Sequence, residues 1–186
     1  MKIVSVPHPA LRKIAQPITK LDGQMITMIA ELEDTLRNKR NPRGVGLSAP
    51  QVDQSWTVFT MFELDGEDES QNIITVINPQ IVGHSQQKTF GPNLDKPILE
   101  GCLSIPNLYG PVPRFEWIEL EYQVIANQQL VAKKARFSAF AARVVQHEYD
   151  HLQGVLFTDY IKELGLPLYE DEKGSLTEIP LSVIVD

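Results

Sequence analysis

Residues 147–151, His147-Glu148-Tyr149-Asp150-His151, hold two histidines four apart with a carboxylate directly after the first. On an α-helix, residues at that spacing sit one above the other, so both imidazoles can be presented to a single point. Glu148 stands close enough to reach whatever lies between the two rings. This donor set reads as a metal site with an adjacent general base. The pattern is short, so its meaning depends on a third ligand and on hydrogen-bond donors from elsewhere in the chain. Cys102 is the one cysteine, which excludes an intramolecular disulfide. A lone cysteine is usually a small buried hydrophobe; the sharper alternative is a thiolate ligand or nucleophile.

The elements that must position these residues follow from pattern. From about Ser138 the chain is apolar almost all round (Phe140, Ala141, Ala142, Val144, Val145), which predicts a helix inside the protein, ended by Gly154. Buried imidazoles flanking a carboxylate need a partner, and a metal ion is an economical one. Earlier, Asp22 is a candidate N-cap for a helix over residues 23–40, with Met25, Met28, Ile29, Leu32 and Leu36 on one face. The methionines fit core filling better than a ligand site. Pro7, Pro9 and Pro17 favour an extended amino-terminal arm.

Strands are expected over 56–63 and 73–77, with a turn at Gly66, and over 117–125 and 130–137, with a turn at Asn127-Gln128. Residues 83–97 read as a long polar loop in which His84 is a solvated surface residue. A last strand over 176–185 is weakened by Pro180. Residues 44–51 (Gly44-Val45-Gly46-Leu47-Ser48-Ala49-Pro50-Gln51) lack the Gly-Lys-Ser/Thr ending of a phosphate loop; a plain turn, or a close approach of another backbone, fits them better.

The chain has 186 residues, 42% apolar and 22% charged, which suits one globular domain, 1–186, with a substantial core and an acidic tail from about 163. The formal net charge of −7 gives no reason to expect DNA binding. No run of about 18 apolar residues offers a membrane span, and the start lacks the features of a secretory signal, so a cytoplasmic location is expected.

Three segments together resemble the peptide deformylase family: 44–51, Glu100-Gly101-Cys102-Leu103-Ser104, and Gln146-His147-Glu148-Tyr149-Asp150-His151-Leu152. They occur in the family's order and at roughly its separations. The arm Val6-Pro7-His8-Pro9 with Leu11-Arg12 is similar to the family's start, so the resemblance spans about residues 1–160. It implies an α+β fold, antiparallel sheets wrapped around a central buried helix that carries the two histidines. It also implies one divalent metal held by Cys102, His147 and His151. Iron(II) is the family's association, and zinc, nickel or cobalt suit the same donors. By the same resemblance, Gln51 and the Leu103 N–H bind an oxyanion, Glu148 is the general acid/base, and Glu100 with Arg114 form a structural ion pair.

The implied reaction removes the N-formyl group from the formyl-methionine of newly made polypeptides and releases formate. An extended peptide would pair with the backbone of the glycine-rich segment, with Val45, Leu47 and Val144 forming an apolar pocket for methionine and Gly46 and Gly101 also among the substrate-binding residues. The nascent chain is then the partner, close to the ribosome. Some members dock there through a basic C-terminal helix. Residues 163–186 instead carry six acids against Lys173, a net −5 that RNA phosphates would repel. Other departures are Ser48 in place of the family's usual alanine, Asp159-Tyr160 in place of Asp-Arg, and the length of the 83–97 loop, which could shape or cover the cleft. The rival readings are a zinc-helix metallopeptidase, whose third ligand normally lies downstream, and a metal-binding homologue without activity.

Overall fold

The computed structural model describes residues 1–64, 72–93 and 95–184. Asp22 Oδ1 accepts the Met25 N–H at 3.0 Å and caps α1 (Gly23–Asn38), whose Met25, Ile29, Leu32 and Leu36 are buried on one face. In chain order there follow β1 (Gly46–Ser48), β2 (Val58–Phe62), β3 (Ile73–His84), β4 (Lys88–Thr89), β5 (Leu99–Cys102), β6 (Ile105–Pro111), β7 (Arg114–Phe115), β8 (Trp117–Ala126) and β9 (Gln129–Ser138). The central helix α2 (Ala139–Leu152), a short α3 (Phe157–Leu164), and a hairpin of β10 (Leu168–Glu172) and β11 (Ser175–Ile179) complete it. The fold is α+β.

Two antiparallel sheets carry the structure. One runs β1-β2-β3-β8-β9 and the other β11-β10-β6-β5, while β4 and β7 pair separately. The period of two along β2 divides the interior. Phe59 and Met61 pack with Ala141, Ala142, Val144 and Val145 of α2, whereas Val58 and Phe62 pack with Ile29, Leu32 and Leu36 of α1. A third cluster joins Leu11, Cys102, Ile105 and Val112 to Phe157 and Ile161 of α3. The sheet is thus covered by a helix on each face, and α2 takes the inner place expected of its apolar sequence.

Several expectations need correcting. Strand β3 continues seven residues past its expected end at Ile77 because Pro79 falls in a register shift between Ile77 and Gln80, where no ladder N–H is required. There Asn78, with φ of 50°, turns its amide to the Ile18 N–H and C=O at 2.9 and 2.8 Å. The 83–97 loop contains β4, which pairs with β7 at Lys88↔Phe115 and Thr89↔Arg114. The amino-terminal arm is interrupted by a 3-10 turn at Pro9–Arg12. The acidic tail holds a hairpin that extends the Cys102 sheet through Tyr169↔Tyr109, and its last strand ends at Ile179, before Pro180. The expected turn at Gly66 lies outside the described residues. Asn127 and Gln128 both have positive φ, as a two-residue hairpin turn requires, and His84 is exposed, stacked on Phe115 at 3.9 Å.

Candidate metal centre and active site

Cys102 ends β5, and its hairpin returns at once through Leu103-Ser104 to Ile105. The Ser104 N–H points at the sulfur, 3.4 Å away. The amino-terminal arm locks this turn to the Gln51 segment, since the Val4 N–H donates to the Gln51 C=O at 2.9 Å and the Val6 N–H to the Ser104 C=O at 3.0 Å. Gly154, just past the end of α2, has φ of +73° and lies so close to the Arg12 carbonyl that a Cβ would meet it at 2.7 Å. Glycine there satisfies both the backbone sign and the packing of arm against helix.

These elements bring the sequence-predicted residues together. Ligand atoms of Cys102, His147 and His151 all lie within 4.8 Å of one another. Cys102 Sγ is 3.2 Å from His151 Nε2, and the two imidazole rings stand 5.0 Å apart at 81°. His147 Nδ1 faces Glu100 Oε2 at 3.2 Å, which leaves its Nε2 for a ligand. Gln51 Nε2 lies 3.4 Å from Cys102 Sγ and 3.3 Å from Ser104 Oγ. Its carbonyl oxygen is held from behind by the Ser48 N–H at 2.9 Å and the Ser48 hydroxyl at 3.0 Å. Ser48 therefore orients the Gln51 amide, a contact for which its sequence offered no signal.

The electrostatics suit a cation. Burial alone would lower the His147 pKa, but hydrogen bonds to Cys102 and Glu100 outweigh it and hold the ring well above its ordinary value. His151 is held well below the ordinary value by burial and by the charge of His147. Three convergent soft and borderline donors, Cys102, His147 and His151, suit a divalent ion. Glu148 is 3% exposed, and burial pushes its carboxyl up to about 7, against the opposing influence of His147 and Ser48. Its Oε2 has no partner among the described residues. A carboxyl poised near neutrality with a free oxygen can take up and return a proton.

A cleft of about 200 Å³ opens over these groups. Val45, Gly46, Gly101, Leu103 and Val144 line it, while the Leu47 side chain is fully buried against α1. Phe140, 44% exposed, and Ile98, at the end of the 83–97 segment, line it as well. The Glu100–Arg114 pair is bidentate, 2.9 Å at both oxygens, and Arg114 also reaches Asp150 at 2.5 Å. Arg143 interrupts a helix expected to be apolar almost all round, and residue type alone does not single it out. It is buried and bonds to Glu100 at 3.2 Å. Its available signal was position, one turn before His147 on the same helix face.

A buried helix presenting two imidazoles, a cysteine from an adjoining hairpin and a desolvated carboxylate is the arrangement that a mononuclear metal hydrolase needs. The sequence profile of the polypeptide deformylase family matches residues 1–166. A peptide deformylase of Rhodopirellula baltica is 34% identical over 96% of this chain and 80% of its own, and one of Desulfotalea psychrophila is 32% identical over 91% and 92%. Among solved structures, peptide deformylase of Thermotoga maritima superposes with a TM-score of 0.70 at 34% identity, covering 86% of this chain and 95% of its own. A Met-Ala-Ser-bound class I type b peptide deformylase of Acinetobacter baumannii gives 0.72 at 29% identity, covering 87% and 98%. The chain belongs to the polypeptide deformylase family, enzymes that remove N-formyl groups from nascent peptides.

Proposed function

We propose that this protein, as one catalytic domain, hydrolyses the formyl amide of N-formylmethionyl nascent peptides, releasing formate and a free amino terminus. The observation that carries the reading is the convergence of Cys102, His147 and His151 within 4.8 Å, with Gln51 3.4 Å from the sulfur and Glu148 in the cleft beside them.

Cys102, His147 and His151 would hold one divalent metal, iron(II) by family association, with zinc, nickel or cobalt as chemically suitable substitutes. Bound there, the metal supplies a water acidic enough to act as nucleophile near neutral pH. The chain's own residues do the rest. Glu148 takes the water's proton as the new C–O bond forms at the formyl carbon. The Gln51 amide and the Leu103 N–H hold the resulting oxyanion, donors set in place before the reaction. Glu148 then returns the proton to the departing nitrogen as the C–N bond breaks, so that the amine leaves neutral.

Peptide recognition follows from two strand edges. Strand β1 is the edge of one sheet and β5 the edge of the other, and Gly46 and Gly101 of these strands both line the cleft. An extended peptide can add between them through main-chain hydrogen bonds, which read no particular sequence. Val45, Val144, Phe140 and Ile98 offer an apolar lining for the methionine side chain. A tight wall at the reacting centre would admit a formyl hydrogen and exclude larger acyl groups. A nascent-chain substrate would put the enzyme in the cytoplasm near the ribosome. No helix among the described residues is long and apolar enough to cross a membrane.

The test is to purify the protein without oxygen, determine its metal content, and assay formyl-Met-Ala-Ser beside the unformylated peptide and casein. Formate is expected from the first alone; cleavage of casein would transfer the reading to a metallopeptidase. Glu148→Ala should keep the metal and lose turnover, and near wild-type deformylation by that variant would overturn the assigned role. Cys102→Ser should weaken or change metal binding, because a hydroxyl is a poor substitute for a thiolate.

A further inference from the structure

Arg143 is 5% exposed yet carries a full guanidinium into the wall of the cleft. Its Nη1 donates to the Thr89 C=O at 3.0 Å, and its Nη2 to the Val112 C=O at 2.6 Å and Glu100 Oε1 at 3.2 Å. Its Nε has no acceptor among the described residues. Burying a guanidinium with one N–H unmet is costly, and an alkyl side chain would avoid the cost. The partner it shares with the metal centre is Glu100.

An ionised carboxylate offers about four lone-pair directions. At Glu100, Oε1 receives Arg114 Nε at 2.9 Å and Arg143 Nη2 at 3.2 Å, while Oε2 receives Arg114 Nη2 at 2.9 Å and faces His147 Nδ1 at 3.2 Å. Every direction is occupied. Arg114 also binds Asp150, so without Arg143 two carboxylates would share one guanidinium. With Nδ1 engaged by Glu100 Oε2, the Nε2 side of the His147 ring is left for a ligand. Outer partners of this kind fix the tautomer and orientation of a metal-binding histidine.

We propose that Arg143 is a positioning residue for the metal centre, acting through Glu100 to hold the His147 ring in its ligating orientation. The inference rests on the reading of Cys102, His147 and His151 as metal ligands. It also gives the β4 segment a place in the site, because Thr89 anchors the other side of the same guanidinium.

The test reads metal affinity rather than turnover. Metal-stripped wild type, Arg143→Met, Glu100→Gln and the double variant are titrated with Co²⁺ against a competing chelator, and the sulfur-to-cobalt absorption band is recorded. Glu100→Gln, which removes the direct partner of His147, should bind about 10- to 100-fold more weakly, with a displaced band. Arg143→Met, acting through Glu100, should weaken binding measurably and by no more than that. The double variant should bind no worse than Glu100→Gln alone, because both substitutions break one path. Wild-type affinity in Arg143→Met, or losses that simply add in the double variant, overturns the proposal. Should Arg143→Met fail to fold, Arg143→Lys replaces it in the same cycle: a single ammonium cannot hold two carbonyls and a carboxylate in the guanidinium's geometry. A wild-type protein that binds no Co²⁺ would instead overturn the functional reading on which this one rests.

Discussion

The carboxylate of Glu148 occupies the space that a side chain on Gly46 would need: a Cβ built there lies 2.5 Å from Glu148 Oε1 and 2.9 Å from Cδ and Cγ. The residue that opens β1 is therefore matched to the acid on α2. Only the absence of a side chain lets edge strand and helix approach closely enough for the carboxyl to stand beside the Cys102–His147–His151 cluster.

Gly46→Ala should accordingly displace Glu148 without removing a ligand. Turnover on formyl-Met-Ala-Ser is expected to fall on the order of 100-fold, the typical cost of a displacement of about 1 Å at a reacting group. Metal content should stay at the wild-type level. Loss of metal together with activity would mean that Gly46 supports the ligands instead.

On the proposed mechanism, Gln51→Ala removes one of the two oxyanion donors. The expected loss in kcat is about 100- to 1000-fold, with KM little changed, because the donor acts on charge that develops only in the transition state. A variant whose KM rises while kcat holds would assign Gln51 to substrate binding.

Ser48→Ala is the milder test of the same wall. The Gln51 carbonyl keeps the Ser48 backbone N–H and loses only the hydroxyl. A neutral hydrogen bond contributes about 1 kcal/mol, so kcat should fall several-fold rather than several hundred-fold. Steady-state kinetics of Ser48→Ala beside Gln51→Ala separates the two.

Glu100 predicts an acid limit to stability. Burial alone would raise its pKa, but the Arg114 charge, with hydrogen bonds from His147 and Arg114, holds it at about 2, below its ordinary 4.5. A carboxyl lowered on folding contributes stability that is fully present above about 4.5 and is lost as pH falls toward 2. In metal-free protein at pH 6, Glu100→Gln should be destabilised by about 3–5 kcal/mol, the usual cost of breaking a buried pair. Denaturant midpoints at pH 6 and pH 3 should show wild type's advantage shrinking in acid. An equal margin at both values would mean that Glu100 is not held ionised.

Much of the site was legible in residue types at short spacing. Histidines at 147 and 151 need only a helix to share a face, and an apolar run before them predicts that helix as surely as Asp22 predicts the start of α1. The resemblance of three segments supplied Cys102, Gln51 and Leu103, which no local rule could have joined across 50 residues. Spacing along the chain carries information only where a regular element converts it to direction.

Contacts across the fold were decided by tertiary structure. Arg143 reads as an interruption of an apolar helix until Glu100, Val112 and Thr89 arrive from three other segments and satisfy it. Leu47 sits in a segment whose neighbours line the cleft, yet alternation along β1 sends its side chain into the α1 core. Strand β3 runs on past its expected end at Ile77 through a register shift, where the Asn78 amide bonds the Ile18 backbone. The sequence by itself determined which groups could do chemistry and which helix would carry two of them. The tertiary structure alone decided which carboxylate orients His147, which serine turns Gln51, and why Gly46 must be bare, since each depends on atoms that meet only when distant segments pack.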